Sequence, residues 1–278
     1  MNKQMLPVLI KIGAFELRSY GAALALSMLI GIAIAMKRAR RFEIRPDIIM
    51  DFSVVIMIAS IVGSRLWYVV YHLDEFRGQW FNVINPLQNG VIGIAGLSMV
   101  GGIVLAIVSA FGYAGMKKLN FLTLGDIMAP VFLLGAGIVR LGGCYLNGCC
   151  FGRPTDSVLG IVFPPEGVAG SIFPGVPLWP AQLFASALGF LGFGLALWLE
   201  RYHRFRGFTF AIVFLYYSID RFIVDQFRYY ESAQELASLG LIKINANHML
   251  LLGLFVISSV FLIWGWSKER RMGNDTNQ

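Results

Sequence analysis

The chain has 278 residues, of which 57% are hydrophobic and only 14% charged, with a formal net charge of +7. A mean hydropathy of +0.67 excludes an ordinary soluble enzyme and leaves hardly any sequence for a separate soluble domain. The composition reads as an all-α polytopic integral membrane protein in which residues 1–278 form a single transmembrane domain.

A bilayer core about 30 Å thick takes roughly 20 apolar residues as helix. About seven such spans are predicted, over residues 20–37, 49–71, 91–115, 121–140, 178–199, 207–226 and 247–266. The first lacks a basic cluster ahead of it and a small-residue cleavage site before "KRARRF", so it reads as a retained helix rather than a removable leader. Four basic clusters punctuate the chain: Lys37, Arg38, Arg40, Arg41 and Arg45; Lys117 and Lys118; Arg201, Arg204 and Arg206; Lys268, Arg270 and Arg271. With seven spans all four fall on one side, and the positive-inside bias makes that side the cytoplasm. The N-terminus is then outside and the C-terminus cytoplasmic. The clusters account for the net charge through topology and contact with anionic membrane lipids. They form no aromatic-interleaved basic face, so no nucleic-acid partner is expected.

The connections 72–90, 141–177 and 227–246 then lie outside the membrane. The one at about 141–177 is long and rich in glycine and proline, a pattern found in functional or mobile loops. It begins within "RLGGCYLNGCCFGRP", which holds all three cysteines, Cys144, Cys149 and Cys150. A disulfide fits the oxidising side of a membrane, although cysteines adjacent in sequence pair poorly with each other. A reactive thiol and a metal site are the alternatives, and zinc would want four suitably spaced ligands where the chain has three scattered histidines. The expectation is no metal and no organic cofactor.

Charge inside the apolar runs is the sharper signal. Arg65, Arg140 and Arg221 are each embedded near the outer end of a predicted span, where a charge costs at least a few kcal/mol unless it faces the bundle interior and a partner. An arginine fork matches a phosphate and stays charged, so three on one side point to a phosphate-bearing lipid. Asp51, Asp126, Asp220 and Asp225 add carboxylates. Tyr217, Arg221 and Asp225 repeat at four-residue spacing and share one helical face, where Asp225 either pairs with Arg221 or aims it at a head group. The glycines of "GLSMVGG" and "LLGAGIV" are read as helix-packing positions or as places where backbone approaches a lipid. No inverted repeat or pair of broken helices suggests a transporter.

Together these stretches resemble the bacterial prolipoprotein diacylglyceryl transferases along nearly the whole chain. In order, they are "LRSYGAAL", "GSRLWYVVYH", "GLSMVGG", "GDIMAPVFLLGAGIVRLGG", "WPAQLF" and "LYYSIDRFIVDQFR". The resemblance implies a multi-pass enzyme of the bacterial inner membrane. It would move the diacylglyceryl group of phosphatidylglycerol to the lipobox cysteine thiol in a prolipoprotein signal peptide, releasing glycerol phosphate. Carried over by position, it makes Tyr20, Arg140, Tyr217, Arg221 and Asp225 catalytic. It makes Arg65, Ser98, Gly101, Gly102, Asp126, Asn147, Gly152 and Gln182 substrate-binding. The chain departs from the family pattern in six places. Val100 and Trp179 stand where histidines are usual, Asp225 replaces a glutamate, and Gly143 and Cys144 break the motif after Arg140. One extra residue precedes Asn147, and Cys149 falls on a glutamate position. These departures keep a second expectation open: a transferase with a different acceptor, or a lipid-binding membrane protein without the chemistry.

Overall fold

Apolar runs have no water to satisfy their backbone, and helix is the local solution. The computed structural model, which describes residues 6–13, 15–83, 85, 87–88, 91–92, 96–202, 204–230, 235–239 and 242–275, folds them accordingly. The long helices are α1 (Ser19–Ala39), α2 (Pro46–Tyr71), α3 (Met99–Met116), α4 (Phe121–Ile138), α5 (Ala181–Leu199), α6 (Phe208–Phe227) and α7 (Ala246–Asp275). All but α6 are long and apolar enough, with their flanks, to cross a membrane. Helix α6 matches them in length but carries Asp220, Arg221 and Asp225. The protein is therefore a mostly helical, multi-pass membrane protein. Among the described residues four two-stranded sheets lie ahead of α1 and in the connections; one pairs Ile161–Val162 with Pro177–Leu178.

The third span is shorter than expected, beginning at Met99 rather than at residue 91. The chain turns at Gly96, whose φ is +73° and whose added Cβ would lie 2.4 Å from the Tyr68 ring. Only glycine takes that turn without strain.

The chain divides into two compact units, one comprising Val8–Leu17 and Ile32–Leu124, the other Met1–Pro7, Arg18–Gly31 and Gly125–Gln278. In the first, α2 packs on α3 at backbone distance. A Cβ on Gly101 would lie 2.2 Å from both Gly63 O and Trp67 Cβ, and one on Gly102 would lie 2.4 Å from Ser64 Oγ. Ser98 N donates to Ser64 O at 2.9 Å. Ser98, Gly101 and Gly102, expected to bind substrate, thus serve the helix contact, as small residues do where membrane helices approach closely.

Arg65, likewise expected to bind substrate, also has partners within this unit. Its Nε donates to Val83 O at 2.8 Å, Nη2 to Asn82 O at 2.6 Å and Nη1 to Gly96 O at 3.1 Å. The guanidinium also lies 5.1 Å from the Phe76 ring centroid. Its fork holds the connection between α2 and α3 by backbone carbonyls, which satisfy a buried charge within the fold.

In the second unit, Ala129, Leu133, Ala196 and Val213 form a core against which Phe193, Phe210, Tyr216 and Tyr217 pack. Helix α5 meets α4 through glycine: a Cβ on Gly189 would lie 2.9 Å from Gly137 N, and Ser186 Oγ donates to Gly137 O at 2.8 Å. Asp126 is fully buried, and its two oxygens accept from Gly207 N at 2.7 Å and Phe210 N at 2.9 Å. Those amides open α6, so Asp126 caps that helix. Asp126, expected to bind substrate, is thus engaged with the start of α6, and fourteen residues of helix separate it from Arg140 by about 20 Å.

Candidate active site

Helix α4 does not stop at Ile138. It continues through a π-helical segment, Val139–Tyr145, carrying Arg140 and Cys144. A π turn holds more residues than an α turn, and such turns are frequent at functional sites. The chain then reverses through Gly148 at φ +68° and Cys150 at φ +59°. Cys149 N donates to Cys144 O at 3.1 Å, and the buried Gln182 donates through Nε2 to Cys149 O at 2.9 Å. Ala169 N bonds Gly148 O at 3.1 Å. The reversal is therefore tied to the π-helical segment, to α5 and to the connection preceding α5.

Three segments meet at Gly152. Its N–H donates to Trp179 O at 3.0 Å, and a Cβ there would lie 2.3 Å from the same oxygen and 2.8 Å from Phe227 O. Arg153 N takes Phe227 O at 2.9 Å. Only a glycine lets the cysteine loop lie this close to the end of α6.

That end carries a polar network. Arg221 Nη1 is 3.0 Å from Asp225 Oδ1, with Asp225 completely buried as a side chain and Arg221 largely so. Tyr230 Oη donates to Asp225 Oδ1 at 2.9 Å and accepts from Arg221 Nη2 and Arg228 Nη1, each at 3.2 Å. Burial pushes the Tyr230 phenol up, which keeps it a donor. Arg228 Nη2 reaches Cys150 Sγ at 3.3 Å, and Arg140 Nη1 reaches Cys144 Sγ at 3.7 Å. The three cysteine sulphurs lie within 4.8 Å of one another. Hydrogen bonds from Cys144 and Cys149 hold the Cys150 thiol well below the usual thiol range, and those with Cys144 and Cys150 push Cys149 up. The buried His248 of α7 places Nε2 3.7 Å from Asp225 Oδ2, with its ring 5.0 Å from that of Phe222. A continuous path of contacts thus runs from Arg140 through the sulphurs and Arg228 to Arg221 and Asp225. Its members hold three guanidinium groups, and two carboxylates face them, Asp225 and the buried Asp220, which lies within electrostatic reach of both Arg221 and Arg140; the guanidinium groups outnumber the carboxylates, as suits a site for an anion.

A profile of the prolipoprotein diacylglyceryl transferases matches residues 7–264. The chain belongs to that family. It is similar to a phosphatidylglycerol–prolipoprotein diacylglyceryl transferase of Fusobacterium nucleatum, with 29% identity over 93% of this chain and 97% of the relative. It is likewise similar to the first such transferase of Clostridium perfringens, 29% identical over 97% of this chain and 98% of that one. A transferase of the same name from Geobacter sulfurreducens is 32% identical over 80% of this chain and 82% of its own length.

Within this diacylglyceryl transferase family member, the expected site residues separate clearly. Arg140, Gly152, Gln182, Arg221 and Asp225 belong to the one network or to the backbone that shapes it. Tyr20 opens α1 and stands beside the π turn, where a Cβ on Gly143 would meet its ring at 3.0 Å. Gly143, one of the departures, is therefore the residue that lets α1 approach. Asn147 lies half-buried in the cysteine reversal. Tyr217 stacks edge-on against Phe132, 5.1 Å between centroids, packs on the core and stands within electrostatic reach of Arg140. Arg228, Tyr230 and His248 were not among the expected residues. Arg228 ends the quoted α6 motif and could have been noticed. Tyr230 and His248 lie beyond the helix end and on another helix, where four-residue spacing carries no signal. The extra residue before Asn147 falls next to the π-helical segment, the form in which a helix takes up an additional residue.

Proposed function

We propose that this protein transfers the diacylglyceryl group of phosphatidylglycerol to the lipobox cysteine thiol of a prolipoprotein, releasing glycerol phosphate. It acts as a single transmembrane domain in the bacterial inner membrane, with Arg140 and the end of α6 at the outer face. The observation that carries the reading is the path joining Arg140, Arg228 and Arg221, one electropositive site that both spans supply. As the bond between the glyceryl carbon and the phosphate oxygen breaks, charge develops on the departing phosphate. Fixed guanidinium donors stabilise that charge more than they stabilise the bound lipid, which is what lowers a barrier. Asp225 and Tyr230 hold Arg221 and Arg228 in place before the lipid arrives, so the cost of orienting them is met by the fold. Tyr20, at the mouth of α1, lines the approach of the head group.

The test is complementation. In a bacterium depleted of its own diacylglyceryl transferase, the wild-type chain shifts a reporter lipoprotein from precursor to lipidated form, and Arg140→Ala and Arg221→Ala, present at equal levels in the membrane, do not. Failure of the wild-type chain despite verified insertion removes the lipobox thiol as acceptor. Rescue by both variants removes the arginine site as its basis.

A further inference from the structure

The three cysteines belong to the π turn and the reversal after it, and arginines flank them on two sides. Each sulphur lies within 4.8 Å of the other two, and no fourth cysteine, histidine or carboxylate joins them among the described residues. A tetrahedral zinc ion with Zn–S distances of about 2.3 Å needs sulphurs about 3.8 Å apart. The edges therefore close by about 1 Å or less. Thiolates are the donor set that selects soft and borderline cations over calcium or magnesium.

Three features indicate a prepared site rather than chance proximity. Cys150 keeps a φ of +59°, a left-handed conformation that residues other than glycine adopt rarely and that tends to persist where function requires it. The loop backbone is fixed by hydrogen bonds from Gln182 and Ala169 and within the reversal from Cys149. Finally, Arg140 and Arg228 donate toward Cys144 and Cys150. Three thiolates around a divalent ion leave a net charge of −1, and outer-shell cations offset such a charge.

We infer that Cys144, Cys149 and Cys150 bind one zinc(II) ion whose fourth position takes the acceptor thiol. The metal half of this inference rests on the sulphur geometry and the prepared loop around it, and the acceptor half rests on the transferase reading. Three protein ligands and one open position is the pattern of catalytic rather than structural zinc. Cys144 is buried while Cys149 and Cys150 are half-buried, so the cluster reaches the surface on one side. A thiol that coordinates zinc gives up its proton, here to solvent, and becomes the nucleophile. Its sulphur then forms a bond to the glyceryl carbon while the carbon–oxygen bond to phosphate breaks, and the electron pair leaves on glycerol phosphate. The thioether product is neutral, a weaker ligand than thiolate, and departs. No oxidant or reductant enters.

The test uses the full chain, purified in detergent without reductant, and cobalt(II) as the probe. One equivalent of cobalt per chain produces sulphur-to-cobalt charge-transfer absorption, zinc abolishes it, and the triple variant Cys144→Ser, Cys149→Ser, Cys150→Ser lacks it. A second measurement needs no variant: zinc shields all three wild-type cysteines from iodoacetamide, read by mass spectrometry. A lipobox peptide shifts the cobalt d–d bands, and the same peptide with serine for cysteine leaves them unchanged. Absence of the charge-transfer band, lack of shielding, a mapped disulfide from Cys144 to Cys149 or Cys150, or a spectrum indifferent to the peptide thiol overturns the inference. Undiminished diacylglyceryl transfer by metal-stripped protein also overturns it and leaves the transferase reading intact. Metal binding with the peptide-induced shift but without any thioether product upholds the site and defeats the transferase reading instead.

Discussion

Replacing Asp225 with asparagine removes one charge from the network and little else. The side chain keeps its shape, and its oxygen still accepts from Tyr230 Oη, now 2.9 Å away. What is lost is the partner of Arg221 at 3.0 Å, in a pair whose carboxylate is fully buried and whose guanidinium is 15% exposed. Breaking a buried pair by removing one member costs about 3–5 kcal/mol, because the other charge stays desolvated. The retained hydrogen bonds place Asp225→Asn near the lower end, about 3 kcal/mol, or roughly a hundredfold in the unfolding equilibrium. Unfolding in mixed micelles measures this directly. A second variant separates stability from function: Arg221→Leu with Asp225→Leu removes both charges, and stability returns to within about 1 kcal/mol of wild type. Its transfer rate, however, stays down by about a hundredfold, the scale of losing one donor aimed at developing charge. A loss below about 0.5 kcal/mol for Asp225→Asn would show that the pair is not desolvated. Normal transfer by the double-leucine variant would refute the role given to Arg221.

Three further substitutions distinguish scaffold from site. Asp126→Ala strips two backbone amides of a buried carboxylate and lowers stability by about 2–3 kcal/mol, while transfer per folded molecule in vesicles stays within twofold. Gly101→Ala forces α2 and α3 apart and costs about 1–3 kcal/mol, read as a lower thermal midpoint in detergent. Gly152→Ala makes the same kind of collision between the cysteine loop and the end of α6, but here the transfer rate per folded molecule falls as well, because Arg228 and Cys150 lose their register. Equal retention of activity by Gly101→Ala and Gly152→Ala would argue against that distinction.

The helices were legible because an apolar run of span length has few alternatives, and the excess of charge in α6 was legible for the converse reason. Arg221 and Asp225 could be paired from their four-residue spacing alone. Arg65 looked equivalent to Arg140 in sequence, since each is an arginine near the outer end of an apolar run. They differ in what faces them: carbonyls at 82, 83 and 96 for Arg65, and a sulphur and an open network for Arg140. Partners that far along the chain leave no mark on local pattern. Asp126 misled similarly, because a capping carboxylate and a binding carboxylate have the same residue type. The glycines of α3 admitted helix packing or lipid contact, and the backbone contact, so close that a Cβ on Gly101 would lie 2.2 Å from Gly63 O, decides for packing. The cysteine triangle was the least legible feature. Its sequence spacing matches no familiar metal motif, and only the π turn and the left-handed Cys150 bring the sulphurs together.

The central claim is best tested by reconstituting the purified chain in phosphatidylglycerol vesicles with a lipobox peptide, counting glycerol phosphate released and thioether formed. The account predicts one glycerol phosphate for each thioether, both abolished when the peptide cysteine is serine and both reduced at least about a hundredfold in Arg140→Ala and Arg221→Ala. Glycerol phosphate released without the peptide thiol, or thioether formed at the wild-type rate by both arginine variants, would contradict it.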